Sequence, residues 1–227
     1  VTDQDQDLSF YRQKFEFDDV LDSSLSSDAS SLEVTGSTSD DDCETGDVDL
    51  SLTTDRGVFS ANQVDKGTRY LLMEGPSVPA PVKNILDLGC GYGPIACTLG
   101  ERYPDAKVWA TDTNIRALEL CRLNAEKTNS KNIFACLPEE IPEDISFDSI
   151  WSNPPIRIGK ESLHELLLEW LNRLSRNGSA HFVIQRHLGS DSLAKWLETK
   201  GWNTSRRGSR KGFRLLDVTR RESDEES

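Results

Sequence analysis

Asn84-Ile85-Leu86-Asp87-Leu88-Gly89-Cys90-Gly91-Tyr92-Gly93 is the stretch that decides the fold. A short apolar run that ends in alternating glycines reads as a buried strand entering a tight turn. Glycines there let the backbone turn sharply and approach a ligand, with the N-terminus of the next helix facing the same point. Gly91, Gly93 and Ala96 also fit the looser G-x-G-x-x-G/A dinucleotide fingerprint, which keeps a nicotinamide oxidoreductase in view. Asp87 weighs against it. A carboxylate beside the turn repels a pyrophosphate and attracts the ammonium group of a methionine moiety.

Downstream the pattern alternates. Segment 95–102 reads as a helix, 107–111 as a strand, and 114–127 as a helix with Ile115, Leu118, Leu120, Cys121 and Ala125 at helical spacing. Strands follow at 132–136 and 147–151. Segment 161–176 sets Leu163, Leu166, Leu167, Trp170, Leu171 and Leu174 along one stripe, a helix signal. A strand at 179–185, a helix at 191–200 and two strands, 202–207 and 213–218, joined by a Gly-containing turn, complete the series. Such alternation predicts an α/β fold: a mainly parallel sheet with helices on both faces.

Upstream the composition changes. Of the net charge of -13, all falls before Gly57, where sixteen Asp/Glu face three Lys/Arg; the rest of the chain is balanced. The acidity therefore says little about what the main domain binds. Ser- and Asp-rich runs such as 23–31 and 39–42 bury too little apolar surface to offset chain entropy. Leu32 and Val34, then Val48, Leu50 and Leu52, alternate with period two, as in a hairpin. Phe10, Tyr11, Phe15, Phe17, Val20 and Leu21 form an apolar cluster expected to dock on the main domain. Three segments are expected: 1–47, acidic, partly disordered, with a small hairpin; 48–219, the main domain; and 220–227, an acidic tail. The five cysteines are odd in number and lack C-x-x-C pairing, which predicts no metal site and a reducing, cytoplasmic setting. No apolar run approaches the roughly 18 residues of a membrane span, and the polar opening residues carry no signal-peptide pattern.

Two further elements bear chemistry. Asp112 closes the strand after the glycine turn, twenty-five residues beyond Asp87. An acid there can accept both ribose hydroxyls of an adenosine, with Thr113 and Asn114 beside it; by itself it also reads as a helix N-cap. Ser152-Asn153-Pro154-Pro155-Ile156 then makes a rigid elbow at the carboxyl edge of the sheet. Such an elbow can aim the Asn153 side-chain oxygen and the Pro154 carbonyl at one point, two acceptors suited to an amine with two N–H donors. The lone pair of an aromatic amine or amide is delocalised. Holding both hydrogens favours a pyramidal nitrogen facing the sulfonium methyl of S-adenosyl-L-methionine, and no metal is required.

DLGCGYGPI at 87–95 and SNPPI at 152–156 resemble the "small" class I methyltransferase domain, whose best-known members methylate guanine N2 in small- and large-subunit ribosomal RNA. The stretch from Asp55 to Ser60, followed by Asp65-Lys-Gly-Thr68, is similar to the segment preceding the core in those enzymes. The resemblance covers about residues 50–219. It implies a Rossmann-like, seven-stranded sheet, mostly parallel with an antiparallel last strand. It implies S-adenosyl-L-methionine held by Asp87, Gly89, Cys90, Gly91, Gly93, Asp112, Thr113, Asn114, Thr68 and Asn153. Catalysis would rest on Asn153, Pro154 and Pro155, with Phe59 and Ile156 against the substrate. Ribosomal RNA or a ribosomal subunit is the implied partner, and the protein is expected to be monomeric. Two positions depart from the family. Ile156 stands where an aromatic residue normally stacks on the base, a contact worth about 1–3 kcal/mol. The strand ending Ala135-Cys136-Leu137 lacks the acid or amide that often holds the adenine amine, so backbone groups of Cys136 and Leu137 would replace it.

Arg206, Arg207, Arg210, Lys211 and Arg214 form a basic strand and turn that reads either as a phosphate contact or as a solvated hairpin. Arg157 and Lys160, just past the elbow, are better placed to meet a phosphate. His187 falls at the expected rim; His164 and His181 read as structural, and Trp170, Trp196 and Trp202 as core. The acidic N-terminal region is expected to fold back on the basic residues. Two other functions share these motifs: a protein glutamine N-methyltransferase, since a carboxamide also presents two N–H donors, and a module that binds cofactor without reacting. The first usually carries Tyr after the elbow and a helical N-terminal domain.

Overall fold

The computed structural model describes residues 29–34, 50–55 and 64–221. Phe59, Cys43, the aromatic cluster at 10–21 and the acidic run at 39–42 lie outside them. Strand β1 (Ala29–Val34) pairs antiparallel with β2 (Leu50–Asp55), Leu32 opposite Leu52. Helix α1 (Lys66–Glu74) follows, then β3 (Asn84–Leu88), α2 (Pro94–Arg102), β4 (Lys107–Thr111), α3 (Ile115–Lys127), β5 (Ile133–Cys136) and β6 (Phe147–Ser152). The rest is α4 (Lys160–Leu171), β7 (Leu174–Gln185), α5 (Ser190–Thr199), β8 (Trp202–Arg210) and β9 (Phe213–Arg220).

Seven strands form one sheet in the order β5-β4-β3-β6-β7-β9-β8. All pairs up to β7 are parallel, and β9 runs antiparallel to both of its neighbours. Successive side chains of a strand point to opposite faces, and β3 shows the division. Ile85 joins a core with Leu71, Leu99 and Leu118, from α1, α2 and α3. Leu86 joins a second core with Leu167, Trp170 and Leu197, from α4 and α5. Both faces are covered, which is why β3 is apolar throughout its buried length except at Asp87. Each such Leu or Ile contributes about 1.5–3 kcal/mol by burial.

One helix ends earlier than its sequence pattern predicts. The stripe from Leu163 extends to Leu174, yet α4 stops at Leu171, and Leu174 sits in extended backbone opposite Phe147. Leu174 is buried either way, so its hydrophobicity could not distinguish the two geometries. Arg173 holds the crossover by donating to the carbonyls of Pro142 and Ile145, with its guanidinium over the Phe147 and Trp170 rings at 5.3 and 5.0 Å. Helix α1, absent from the sequence reading, starts at an Asp65 cap. Among the described residues no helix is long and apolar enough to cross a membrane.

Candidate active site

Where β3 ends, Gly89 and Cys90 both donate their N–H groups to the Thr111 carbonyl, at 2.8 and 3.0 Å, tying the glycine turn to the end of β4. Gly91 then donates to Asp112 Oδ2 at 3.0 Å, while Asp112 Oδ1 accepts from the Asn114 N–H at 2.9 Å. Asn114 in turn caps α3 through the Arg116 N–H. Gly93 has φ +93° and lies against α3, where a Cβ would stand 2.7 Å from Cys121 Sγ. Gly91, at φ +55°, faces open space. The turn is therefore packed on one side and open on the other.

Asp87 lies under this turn with no exposed surface. Its Oδ2 accepts the Ala96 N–H at 2.9 Å in the first turn of α2, and Oδ1 has no partner. Burial pushes its pKa up to about 8; the Ala96 N–H opposes that, and the Asp112 carboxylate adds to it. An orphaned carboxylate oxygen beneath an open glycine turn fits the cationic end of S-adenosyl-L-methionine, which supplies an activated methyl group when bound. Asp65 and Asp112 reach the pocket itself, giving it an acidic lining that suits a positively charged ligand.

That pocket is a cavity of about 420 Å³. Of the residues singled out in the sequence, it brings together Thr68, Gly89, Cys90, Gly91, Asp112, Thr113, Asn114, Asn153, Pro154, Pro155, Ile156 and Arg157. Asp87 and Gly93 stand behind its wall. Cys136 and Leu137 do not line it; Pro138 does. Their backbone is also engaged, the Cys136 carbonyl accepting from Thr111 Oγ1 at 3.0 Å and the Leu137 N–H donating to Glu140 at 2.7 Å. Lys160, His187, Arg210 and Lys211 are exposed outside it. Three hairpin arginines already have acidic partners: Arg207 with Asp217, Arg210 with Glu74, and Arg214 with Asp191.

At the elbow, Pro155 has φ −74° and ψ 74°, and the Pro154 carbonyl accepts the Ile156 N–H at 2.8 Å. This is an inverse γ-turn. One lone pair of that carbonyl is thus taken and the second remains. The Asn153 amide donates from Nδ2 to Asp65 Oδ2 at 2.8 Å and to Thr68 Oγ1 at 3.0 Å. A carboxylate only accepts, so the amide nitrogen must face Asp65, and Asn153 Oδ1 remains as an acceptor.

In the sequence Asp65 stood only within the Asp65-Lys-Gly-Thr68 segment and carried no role of its own, although an Asp followed three residues on by the buried Thr68 is a helix-start pattern. Leu166 and Trp170 of α4, Gln185 at the end of β7, and the exposed Ile158 and Leu188 also line the pocket and carried no separate signal. Asn124 was hidden as well. Fully buried in α3, it accepts the Thr53 N–H at 2.6 Å and donates to the carbonyls of Thr53 and Tyr92, both at 2.8 Å, joining β2 to the glycine turn. His181 is buried between Ser179 and Asp217, at 2.9 and 2.8 Å, away from the pocket; burial first, then the Arg207 charge, lowers its pKa against the opposing pull of Asp217. His164 stacks on Trp196 with ring centroids 3.6 Å apart.

Comparison with known proteins agrees with this geometry. Residues 49–217 match the methyltransferase small domain. The uncharacterized protein YbxB of Bacillus subtilis is 36% identical over 171 residues, covering 74% of this chain and 85% of that one. Ribosomal RNA small subunit methyltransferase C of Shewanella pealeana is 34% identical over 146 residues, 61% of this chain but 41% of that protein, so the chain spans about two-fifths of that relative. Among solved structures, the Thermus thermophilus 16S rRNA N2 G1207 methyltransferase, in complex with AdoMet and guanosine, has the same fold. Its TM-score is 0.66 at 22% identity, over 87% of this chain and 52% of that one. The chain therefore belongs to the methyltransferase small domain family and has the fold of its S-adenosyl-L-methionine-dependent methyltransferases.

Proposed function

We propose that the chain transfers a methyl group to the exocyclic amine of a nucleobase, guanine N2 of ribosomal RNA being the reading best supported. The observation that carries it is the acceptor pair at the elbow. Asn153, whose Oδ1 is left as an acceptor, and Pro154, whose carbonyl keeps one lone pair, line the same pocket as the glycine turn. Two acceptors at a methyl-donor site suit an N–H₂ group; a hydroxyl can use only one of them and a thiolate neither. Their chemistry is positional: they hold the two hydrogens while the nitrogen lone pair turns toward the methyl. The sulfonium–methyl bond would break as the nitrogen–methyl bond forms, and the one proton released from the nitrogen would leave to solvent without a dedicated base.

The Shewanella pealeana relative is named for ribosomal RNA, and the Thermus thermophilus structure holds guanosine; both support a base in RNA over a protein side chain. Arg157 at the pocket and Lys160 at the start of α4 would meet the phosphate backbone, with Arg210, Lys211 and His187 farther out. Exposed Ile158 and Leu188 stand with Ile156 at the pocket, an aliphatic wall for the base face in place of the usual ring. The glycine turn and Asp112 would hold the cofactor, with Asp87 compensating its ammonium group from below.

Purified protein incubated with radiolabelled S-adenosyl-L-methionine and unmodified ribosomal subunits tests the reading. Label is expected in RNA as N2-methylguanosine. It should fall at least about a hundredfold in Asn153→Ala while cofactor affinity stays within a factor of three, because the lost contact acts on the reacting nitrogen. Label in protein instead would replace the proposal with the glutamine reading.

A further inference from the structure

We infer that Asp65 is a positioning residue that fixes which end of the Asn153 amide faces the methyl-acceptor site. The inference rests on the amine reading above. An asparagine amide has donors at one end and an acceptor at the other, and rotation about its last bond exchanges them. Turned the wrong way, Asn153 would point N–H groups at the substrate amine, donor against donor. At the elbow nothing in the proline backbone prevents that.

Asp65 does. Its Oδ2 accepts both from Asn153 Nδ2, at 2.8 Å, and from the Gly67 and Thr68 N–H groups, at 2.7 and 3.2 Å. The two backbone donors form the N-terminus of α1, so the carboxylate is held by the helix it caps. Thr68 Oγ1 takes the amide at 3.0 Å, and Thr68 is buried, which gives it little room to yield. The helix is itself seated. A Cβ on Gly67 would come within 2.8 Å of the Phe213 ring, and one on Gly208 within 2.5 Å of Tyr70 Oη, so α1 lies directly on the β8–β9 hairpin. Orientation of the acceptor thus passes from the hairpin through α1 to Asp65 and then to Asn153. The site becomes selective for N–H donors because a carboxylate 2.8 Å away leaves the amide one stable orientation.

Three variants separate positioning from helix capping. Asp65→Ser keeps a good N-cap but is too short to reach Asn153. Its kcat is expected to fall roughly ten- to a hundredfold, with an unchanged melting temperature. Asn153→Asp sets two carboxylates face to face and should fall at least as far. The pair Asp65→Ser with Asn153→Asp keeps the cap and removes that repulsion, while a carboxylate at 153 presents an acceptor whichever way it turns, and should recover about tenfold or more over Asn153→Asp alone. An Asp65→Ser enzyme of normal kcat, or a double variant no better than the product of the singles, would overturn the inference. A substrate-free readout accompanies these: in ¹⁵N-labelled protein the Asn153 side-chain amide protons should exchange slowly, and at least about tenfold faster in Asp65→Ser. Equal exchange rates count against Asp65 even if the natural substrate proves not to be RNA, whereas absence of RNA methylation by the unmodified protein bears only on the function.

Discussion

Replacing Asp87 by Asn removes one proton-binding site from the middle of the β-sheet while keeping its shape. In the folded chain the acid is wholly buried, and its pKa rises from the usual 3.8 to about 8. The neutral form is the one the fold prefers, so its stabilisation is fully present below about pH 4 and is lost as the pH rises through about 8. Between those limits each pH unit lowers stability by about 1.4 kcal/mol. From pH 6 to pH 8 the loss approaches 2–3 kcal/mol, or about 5–10 °C in melting temperature for a domain of this size. The Asp87→Asn protein would keep the Ala96 contact, mimic the neutral acid and show none of this slope. Thermal melts of both proteins from pH 5.5 to 9 should therefore converge at the acid end and separate at the alkaline end, the variant being the more stable there. Adding S-adenosyl-L-methionine should narrow the gap, because its ammonium group stabilises the carboxylate only in the unmodified protein. A difference between the two melting curves that stays constant over the whole range would refute the reasoning.

Other perturbations give outcomes as definite. Gly93→Ala combines left-handed strain with a Cβ 2.7 Å from Cys121 Sγ and should cost about 2–4 kcal/mol in denaturant unfolding. Gly91→Ala, with nothing within 4 Å, should cost about 1–2 kcal/mol but weaken cofactor binding by calorimetry; equal losses of stability would contradict the packing described. Asn124→Ala removes three contacts from a fully buried amide and is expected to lower unfolding free energy by about 2–4 kcal/mol and to speed hydrogen exchange at Thr53. Arg157→Ala with Lys160→Ala should raise KM for RNA about tenfold at unchanged kcat, and flatten the slope of log KM against log salt by about 2. A slope identical to that of the unmodified enzyme would mean neither residue meets a phosphate.

The glycine turn was legible because its constraint is local: a strand entering a tight turn at three glycines has few alternatives, and φ values of 75°, 55° and 93° at Gly89, Gly91 and Gly93 are what such spacing demands. Periodicity located the helices for the same reason. It failed at Leu174, where a strand and a helix bury the same side chain. It also missed α1, whose buried Gly67, Thr68, Tyr70, Leu71 and Leu72 present no clean stripe. The pocket was legible where residues sit at strand ends, as at Asp112 and Asn153, since parallel strands bring those ends to one edge. Asp65 and Leu188 come from other elements, 88 residues before and 35 after Asn153, and only the packed sheet places them beside it. Lys211 and Arg210 read as a basic patch in the sequence. Folding spends part of that charge on Glu74, which no local pattern announces.

The placing of β9 between β7 and β8 has a consequence for assembly. During synthesis β8 emerges first and has no partner in the sheet, while the edge of β7, with its buried Ala180, Phe182, Val183 and Ile184, stays open until β9 arrives. A long apolar edge is a template for pairing with another chain. The hairpin limits how long that hazard lasts. Lys211 and Gly212, at φ 46° and 87°, form a two-residue turn between Arg210 and Phe213, so β8 and β9 can zip together locally, in about 1–10 μs, before docking as one unit. Exposure of the β7 edge should then be governed by the arrival of residues near 213–220 at the ribosome exit, and by little that happens after it.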